Sequence, residues 1–115
     1  MRDIQSRADI EELITLFYSK VAEDTSLSPF FAKIDWKKHL PQMIHFWCFA
    51  LLDESGYTTN VVEKHLHMPL KAAHFSTWLA YFNETTDTLF SGEKADAAKQ
   101  RAAVIGWTIQ SKVEK

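Results

Sequence analysis

The chain contains few of the residues that crosslink a fold or interrupt a helix. Its 115 residues include one cysteine, three glycines and three prolines. The single cysteine, Cys48, excludes a disulfide within the chain and is weakly indicative of a reducing compartment. Because glycine and proline are scarce and sustained alternating apolar patterns are absent, the sequence disfavours a sheet-rich fold and predicts an all-α one.

The chain also lacks an excess of charge of one sign and any long apolar run. The formal net charge is -2, the pI is about 6.2, and no basic stripe runs along the sequence. Nucleic acid is therefore not expected as a partner, since its binding requires clustered Lys and Arg. No apolar run approaches the length of a membrane span, and the first residues contain no apolar signal region. We expect a soluble, cytoplasmic protein that does not bind membranes.

Aromatic residues are what the chain has in abundance. Eight Phe and four Trp are more than a chain of this length needs for packing alone. The length fits one compact domain spanning residues 1–115. A chain of this size can bury a core without crosslinks, although its margin of stability is small. Large flat side chains in such a domain are suited to form the walls around a planar ligand.

The apolar spacing predicts helices over most of the chain. Ser6 and Asp9 form a capping-box pattern that opens the first long helix. Ser28 followed by Pro29 predicts the cap of a short second helix. The apolar stripe of the first helix consists of Ile10, Leu13, Ile14, Phe17, Tyr18 and Val21.

Further helices follow in the order long, short, long, long. Asp35 is a cap for a helix ending near Leu52, a short helix is predicted over Asn60–Leu66, and a long one over Leu70–Phe90. The pair Ser91-Gly92 predicts a break before the last helix. Gly106 lies inside the last helix and would permit close helix approach. The third helix has an apolar stripe of Leu40, Met43, Phe46 or Trp47, and Ala50. The last helix carries Ala98, Ala102, Ile105, Ile109 and Val113. Two pairs of antiparallel helices could enclose a ligand between them.

Three polar or aromatic side chains stand where a plain helical bundle would place Leu. Tyr18 and Trp78 lie within apolar stripes, and a buried hydroxyl or indole N–H needs a partner. They are either core aromatics bonded to a nearby carbonyl or donors directed into a ligand cavity. His39 lies at the start of the third helix, on a face with the wall residues Met43, Phe46, Trp47 and Ala50. It is either an exposed first-turn residue or a polar group at the rim of that wall, and Pro41 could displace it.

The five histidines do not have the spacing of a zinc site, but one of them is a candidate ligand for haem iron. One neutral imidazole is sufficient to hold haem iron on one side. His65 lies near the end of a short helix, with Pro69 fixing the chain beyond it, so its ring would be held at a defined angle. The alternative is a surface histidine at a helix C-terminus. His74 is a rival ligand, and His67 or Lys64 could reach a haem propionate.

Six segments in a fixed order resemble the truncated haemoglobins, and most closely their group III branch. They cover roughly residues 10 to 83, and their joint order and spacing are more specific than any single segment. The segments are Leu16-Phe17-Tyr18-Ser19-Lys20-Val21, Leu27-Ser28-Pro29-Phe30-Phe31, Trp36-Lys37-Lys38-His39, Phe46-Trp47, Lys64-His65-Leu66-His67-Met68-Pro69 and Trp78-Leu79-Ala80-Tyr81-Phe82. The glycine-pair motifs of the other truncated groups are not evident in the sequence.

The resemblance implies a two-over-two helical sandwich around b-type haem, with His65 as the proximal iron ligand. Tyr18, His39 and Trp78 would lie at the distal positions that surround bound ligand. The residues expected to line or contact the haem are Phe31, Met43, Phe46, Trp47, Lys64 and Trp78. This arrangement implies reversible binding of O₂, NO or CO, with tight and slow-releasing O₂ binding.

Two other functions remain open from the sequence. The same donors would suit a haem-dependent redox enzyme, either NO-oxidising or peroxidase-like, supplied by a reductase partner. A helical interaction module without a cofactor is the competing class, because each of the singled-out residues also has a structural explanation. The sequence permits a monomer or a weak homodimer.

Overall fold

A computed structural model describes residues 1–31, 35–52 and 71–113 of the chain. These residues form five helices and no strand, which confirms the all-α prediction. The helices are α1 (Arg7–Glu23), α2 (Ser28–Phe31), α3 (Trp36–Leu52), α4 (Ala72–Leu89) and α5 (Glu93–Val113). The short helix predicted over Asn60–Leu66 and the turn at Pro69 lie outside the described residues.

Helix α1 begins as the capping pattern predicts. Ser6 is its N-cap residue, and the Asp9 carboxylate accepts the backbone N–H groups of Gln5, at 2.8 Å, and Ser6, at 3.2 Å. The same carboxylate receives two N–H groups from the guanidinium of Arg2. Asp9 therefore caps the helix and fastens the N-terminal segment to it at the same time.

Protonation of Asp9 should destabilise the fold at low pH. The hydrogen bond from Arg2, against the opposing effect of burial, lowers the pKa of Asp9 from 3.8 to about 2. A carboxyl whose pKa falls on folding stabilises the native state fully above the unfolded pKa, and this contribution is lost as the pH falls toward 2. We expect Asp9→Asn to lower the free energy of unfolding at pH 7 by about 1–2 kcal/mol and to flatten its decline between about pH 5 and 2.

Urea unfolding of wild type and variant across this pH range measures the effect. Glu11→Gln is the matched control, because Glu11 belongs to the exposed 3.5 Å ion pair with Arg7 on the same helix. Exposed pairs of this kind contribute about 0.3–0.5 kcal/mol. Parallel pH profiles for wild type and Asp9→Asn would contradict the assignment.

The starts of α2 and α3 are only partly as predicted. Ser28, predicted as the cap of α2, is its first helical residue. Asp24 supplies the acceptor instead: its Oδ1 accepts the N–H groups of Ser26, at 2.8 Å, and Leu27, at 3.1 Å. Carboxylates at a corner compete well for free N–H groups because they are ionised acceptors. Asp35 caps α3 as predicted, with its Oδ1 accepting the Lys37 N–H at 3.1 Å.

Pro41 lies inside α3 and does not begin it. The helix already starts at Trp36, which places His39 in its first turn. Proline has no N–H to donate to the carbonyl of Lys37, so α3 loses one intrahelical hydrogen bond near its N-terminus. His39 therefore lies within the first turn of α3, before the proline that could have displaced it.

The core forms where α1 packs against α3 and α4, while α5 packs mainly against α4. The predicted stripe of α1 is confirmed: Ile10, Leu13, Ile14, Phe17, Tyr18 and Val21 are all buried. In α3 the prediction is correct for Met43 and Trp47 only, since Leu40, Phe46 and Ala50 are partly buried. The remaining buried residues of α3 are Ile44, Cys48 and Leu51. Helix α3 contacts both α1 and α5, and this shifts and widens the buried face relative to the predicted stripe.

The corner between α4 and α5 is built on the N-terminal segment. Gly92, in the predicted break, has a φ of 140°, and a Cβ there would lie 2.6 Å from Cγ of Asp3. The Asp3 carboxylate accepts the N–H groups of Lys94 and Ala95, each at 2.9 Å, and so caps α5. Glycine is required at this corner for both its backbone conformation and its lack of a side chain.

Gly106 marks a close approach between α4 and α5. A Cβ built on it would lie 3.6 Å from the ring of Trp78, within ordinary van der Waals contact. Alanine would therefore also fit at this position, so the helices approach closely at Gly106 but not so closely that they require glycine. Trp78 is thus held from the α5 side as well as from α1.

The outer face of α5 exposes two large apolar side chains. Val104 is 59% exposed and Trp107 is 70% exposed. None of the helices within the described part of the chain has the length and apolar character needed to cross a membrane.

Candidate functional site

Tyr18 is the centre of a cluster of rings contributed by three helices. Its side chain is buried, and its ring centroid lies 4.8 Å from that of Phe17 and 6.2 Å from that of Phe31. The rings of Trp36 and His39, both from the first turn of α3, lie at 5.4 Å and 5.8 Å. The structure therefore brings together Tyr18, His39 and Phe31, which the sequence placed at or beside a ligand site.

Trp78 joins this cluster from α4: its ring meets that of Phe17 edge-on at 5.6 Å, and its indole N–H lies close enough to the Tyr18 hydroxyl to form a hydrogen bond with it. An indole N–H can only donate, so the Tyr18 oxygen is the acceptor and the phenolic proton remains available for a further acceptor. Burial raises the pKa of Tyr18 well above its usual value, and the hydrogen bond from Trp78 opposes this rise more weakly. Tyr18 is therefore a neutral phenol at physiological pH, with its proton in place.

His39 adds a third polar group beside the phenol. Its ring meets those of Tyr18 and Trp36 edge-on, with interplanar angles of 80° and 76°. Its Nε2 atom is buried. A hydroxyl, an indole N–H and an imidazole thus meet within one aromatic enclosure, where low polarity strengthens each hydrogen bond.

Phe82 connects this cluster to the predicted wall residues on α3. It is fully buried, with Trp47 stacked on it at 4.9 Å and Trp78 stacked at 6.2 Å. Phe46 lies against Trp47 at 5.3 Å, and Met43 is buried in the same core. Of the predicted wall residues, Phe31 therefore contacts Tyr18 directly. Trp47 instead stacks on Phe82, and Phe46 packs against Trp47.

The predicted iron ligand and its neighbours lie outside the described residues. His65, Lys64 and His67 all belong to this part of the chain, and their roles stay predictions. The rival histidine, His74, is engaged locally: its Nδ1 accepts the backbone N–H of Lys71 at 2.9 Å. Its ring also meets that of Phe30 edge-on at 4.8 Å. His74 thus takes part in the start of α4.

Sequence reasoning did not single out Trp36 as a site residue. Its ring stacks on Phe31 at 6.1 Å and contacts both Tyr18 and His39. The available signal was its position three residues before His39, which places both side chains on one face of a helix. That signal required knowing that α3 begins before Pro41, which the sequence left open.

Comparison with known proteins identifies the family. A family model described as bacterial-like globin matches residues 3–108. The chain is 30% identical to the group 3 truncated hemoglobin ctb of Campylobacter jejuni over 117 aligned residues, covering 96% of this chain and 92% of that protein. It is also similar to the crystal structure of group III truncated hemoglobin from Campylobacter jejuni, with a TM-score of 0.87 and 30% identity over 98% of this chain and 95% of the other. This chain therefore belongs to the bacterial-like globins, as a member of their group III truncated haemoglobin branch.

Proposed function

We propose that this globin binds haem b through His65 and uses Tyr18 to hold a diatomic ligand on the opposite side. Membership of the globin family supports haem binding and small gaseous ligands. The observation that carries the finer proposal is the buried Tyr18 hydroxyl, which accepts a hydrogen bond from Trp78 and retains a proton to donate. Such a donor in a core of aromatic rings can hydrogen-bond to a small polar ligand that is shielded from water.

The residues around Tyr18 fit a haem protein in their chemistry. When bound, haem would supply an iron atom that can bind O₂, NO or CO. The chain contributes the flat apolar rings of Phe31, Trp36 and Trp47, which here stack on other aromatic rings, Trp36 on Phe31 and Trp47 on Phe82. It contributes polar groups from Tyr18, Trp78 and His39 at one place, so a ligand there would meet donors on one side and apolar walls elsewhere.

Trp78 is best placed to act through Tyr18. The resemblance implied that both side chains lie at distal positions, where each could donate to the ligand, but the Trp78 indole N–H already has the Tyr18 oxygen as a hydrogen-bond partner. A hydroxyl that accepts a hydrogen bond becomes a better donor, because hydrogen bonds in a chain polarise one another. We therefore assign direct donation to Tyr18 and a reinforcing role to Trp78.

The expected consequence is slow release of O₂. Bound O₂ carries partial negative charge, which the phenolic proton stabilises, whereas bound CO is less polar and benefits less. A net contribution of about 0.5–1.5 kcal/mol per hydrogen bond corresponds to a change of roughly two- to tenfold in the dissociation rate. Such a site favours retention of O₂ over bulk transport.

Titration of the protein with haem tests the first part of this proposal. We expect a strong Soret band that saturates at one haem per chain. The reduced protein should bind CO and shift this band. If the protein takes up no stoichiometric haem, the proposed function is wrong, and the aromatic cluster serves the core of a helical module without cofactor.

A further inference from the structure

A second hydrogen bond joins α4 to the end of α1, one turn away from the Trp78–Tyr18 contact. The hydroxyl of Tyr81 donates to Oδ2 of Asp24 at 2.6 Å. Tyr81 follows Trp78 by three residues, so the two side chains leave neighbouring positions on the same face of α4. Both aromatic side chains of this face therefore reach polar partners contributed by α1 and its C-cap.

Asp24 is at the same time the organising residue of the corner into α2. Its Oδ1 accepts the N–H groups of Ser26 and Leu27, and the Ser26 hydroxyl donates to the same atom at 2.5 Å. These hydrogen bonds, together with the one that Tyr81 donates to Asp24, are called the Asp24 junction. The corner leads directly into α2, which carries Phe31, and Phe31 lies 6.2 Å from Tyr18. The junction thus connects α2, which carries Phe31, with α4, which carries Trp78, and these two side chains contact Tyr18 from different sides.

The junction joins α4 to the C-cap of α1 through an ionised acceptor. Hydrogen bonds from Ser26, followed by the one from Tyr81, lower the pKa of Asp24 to about 2, so the acceptor is ionised at neutral pH. Hydrogen bonds to a charged acceptor are about twice as strong as neutral ones. By contrast, Lys20 and Glu84 form a 3.2 Å ion pair between the same helices, with the Glu84 side chain 66% exposed. Exposed pairs of this kind contribute little.

We propose that Tyr81 and Asp24 are positioning residues, which hold α4 in the register that directs the Trp78 indole N–H at the Tyr18 hydroxyl. Removing the Tyr81 hydroxyl leaves its ring packing in place but releases α4 from the corner. The Trp78 indole N–H then samples orientations away from the Tyr18 oxygen. The ligand-binding consequence of this inference rests on the proposed function, whereas its structural consequence does not.

The test compares Tyr81→Phe with Lys20→Met by NMR of the protein as purified. The first readout is hydrogen exchange of the Trp78 indole N–H, whose signal is assigned by its absence from Trp78→Phe. We expect this exchange to be about tenfold faster in Tyr81→Phe and unchanged in Lys20→Met. A general loosening of the α1–α4 contact would affect both variants, so the comparison isolates the junction.

A second readout applies to the CO complex. The C–O stretching frequency reports the hydrogen bond that Tyr18 donates, so it should broaden or shift in Tyr81→Phe and remain unchanged in Lys20→Met. Asp24→Asn keeps a neutral acceptor for Tyr81 and should give an intermediate effect. The double variant Asp24→Asn with Tyr81→Phe should show less than the sum of the two single effects, because both changes weaken the same Tyr81–Asp24 hydrogen bond.

The outcomes separate the two proposals. Unaltered indole exchange in Tyr81→Phe would overturn the positioning role, whatever the haem content. Faster exchange in a protein that takes up no haem would support the junction while refuting the proposed function. If Tyr81→Phe proves too unstable to measure, the exchange rate in Asp24→Asn decides: a rate equal to that of wild type contradicts the proposal.

Discussion

Replacement of His65 by alanine should abolish stable haem binding. The family resemblance assigns this histidine to the proximal position, where a neutral imidazole is the bond between protein and iron. Without it, the Soret band of the purified protein should be lost or strongly shifted, and the affinity for haem should fall by at least about a hundredfold, as for loss of a metal ligand. Absorbance titration of the variant with haem measures the change.

Two controls make this result specific. His74→Ala should leave the spectrum intact, because His74 is engaged by the Lys71 N–H at the start of α4. Added imidazole should restore a His-like spectrum to His65→Ala if the cavity is otherwise preserved. A His65→Ala protein with an unchanged spectrum would show that haem is bound by another residue, and His74 would be the next to replace.

Replacement of Tyr18 by phenylalanine should accelerate O₂ dissociation by roughly two- to tenfold, while CO dissociation changes much less. The variant removes only the hydroxyl, which is the donor we assign to the ligand. The aromatic contacts of Tyr18 with Phe17 and Trp36 are retained. Stopped-flow displacement of O₂ by CO measures the rate, and equal O₂ dissociation rates in variant and wild type would refute the assignment.

A double-mutant cycle with Trp78→Phe distinguishes a reinforcing role from direct donation. If Trp78 acts through Tyr18, Trp78→Phe alone should speed O₂ release by about two- to fivefold. Added to Tyr18→Phe, it should then have almost no further effect. If both side chains donate to the ligand independently, the two effects should multiply. The second result would favour the arrangement implied by the resemblance over the one seen in the structure.

Local patterns predicted the helices because their signals lie within a turn of the residues they affect. The Ser6–Asp9 capping pattern and the 3.6-residue apolar spacing of α1 act over a few residues, and the structure confirms both. Asp35 and Gly92 likewise mark a helix start and a chain break at the predicted places. Where a prediction depended on competition between nearby acceptors, as at Ser28, it was wrong: Ser28 is the first residue of α2, and the Asp24 carboxylate holds the turn before it.

The residue types of the candidate site could also be read from the sequence, but not their contacts. Tyr18, His39 and Trp78 were conspicuous as polar groups in apolar positions, and the order of the surrounding segments indicated the globin family. Whether Trp78 pairs with a carbonyl, with a ligand or with Tyr18 depends on how α4 crosses α1. These residues are separated by most of the chain, so no local pattern encodes the contact.

The sequence by itself therefore determined the helical class, most of the helix boundaries, the core of α1 and the family. Only the tertiary structure decided that Trp78 donates to Tyr18, that Trp36 encloses the site, and that Tyr81 reaches Asp24. The physical reason is the range of the interactions. Capping and periodicity follow from backbone geometry within one or two turns, whereas a buried hydrogen bond between helices exists only once their relative position has been fixed by the packing of the whole core.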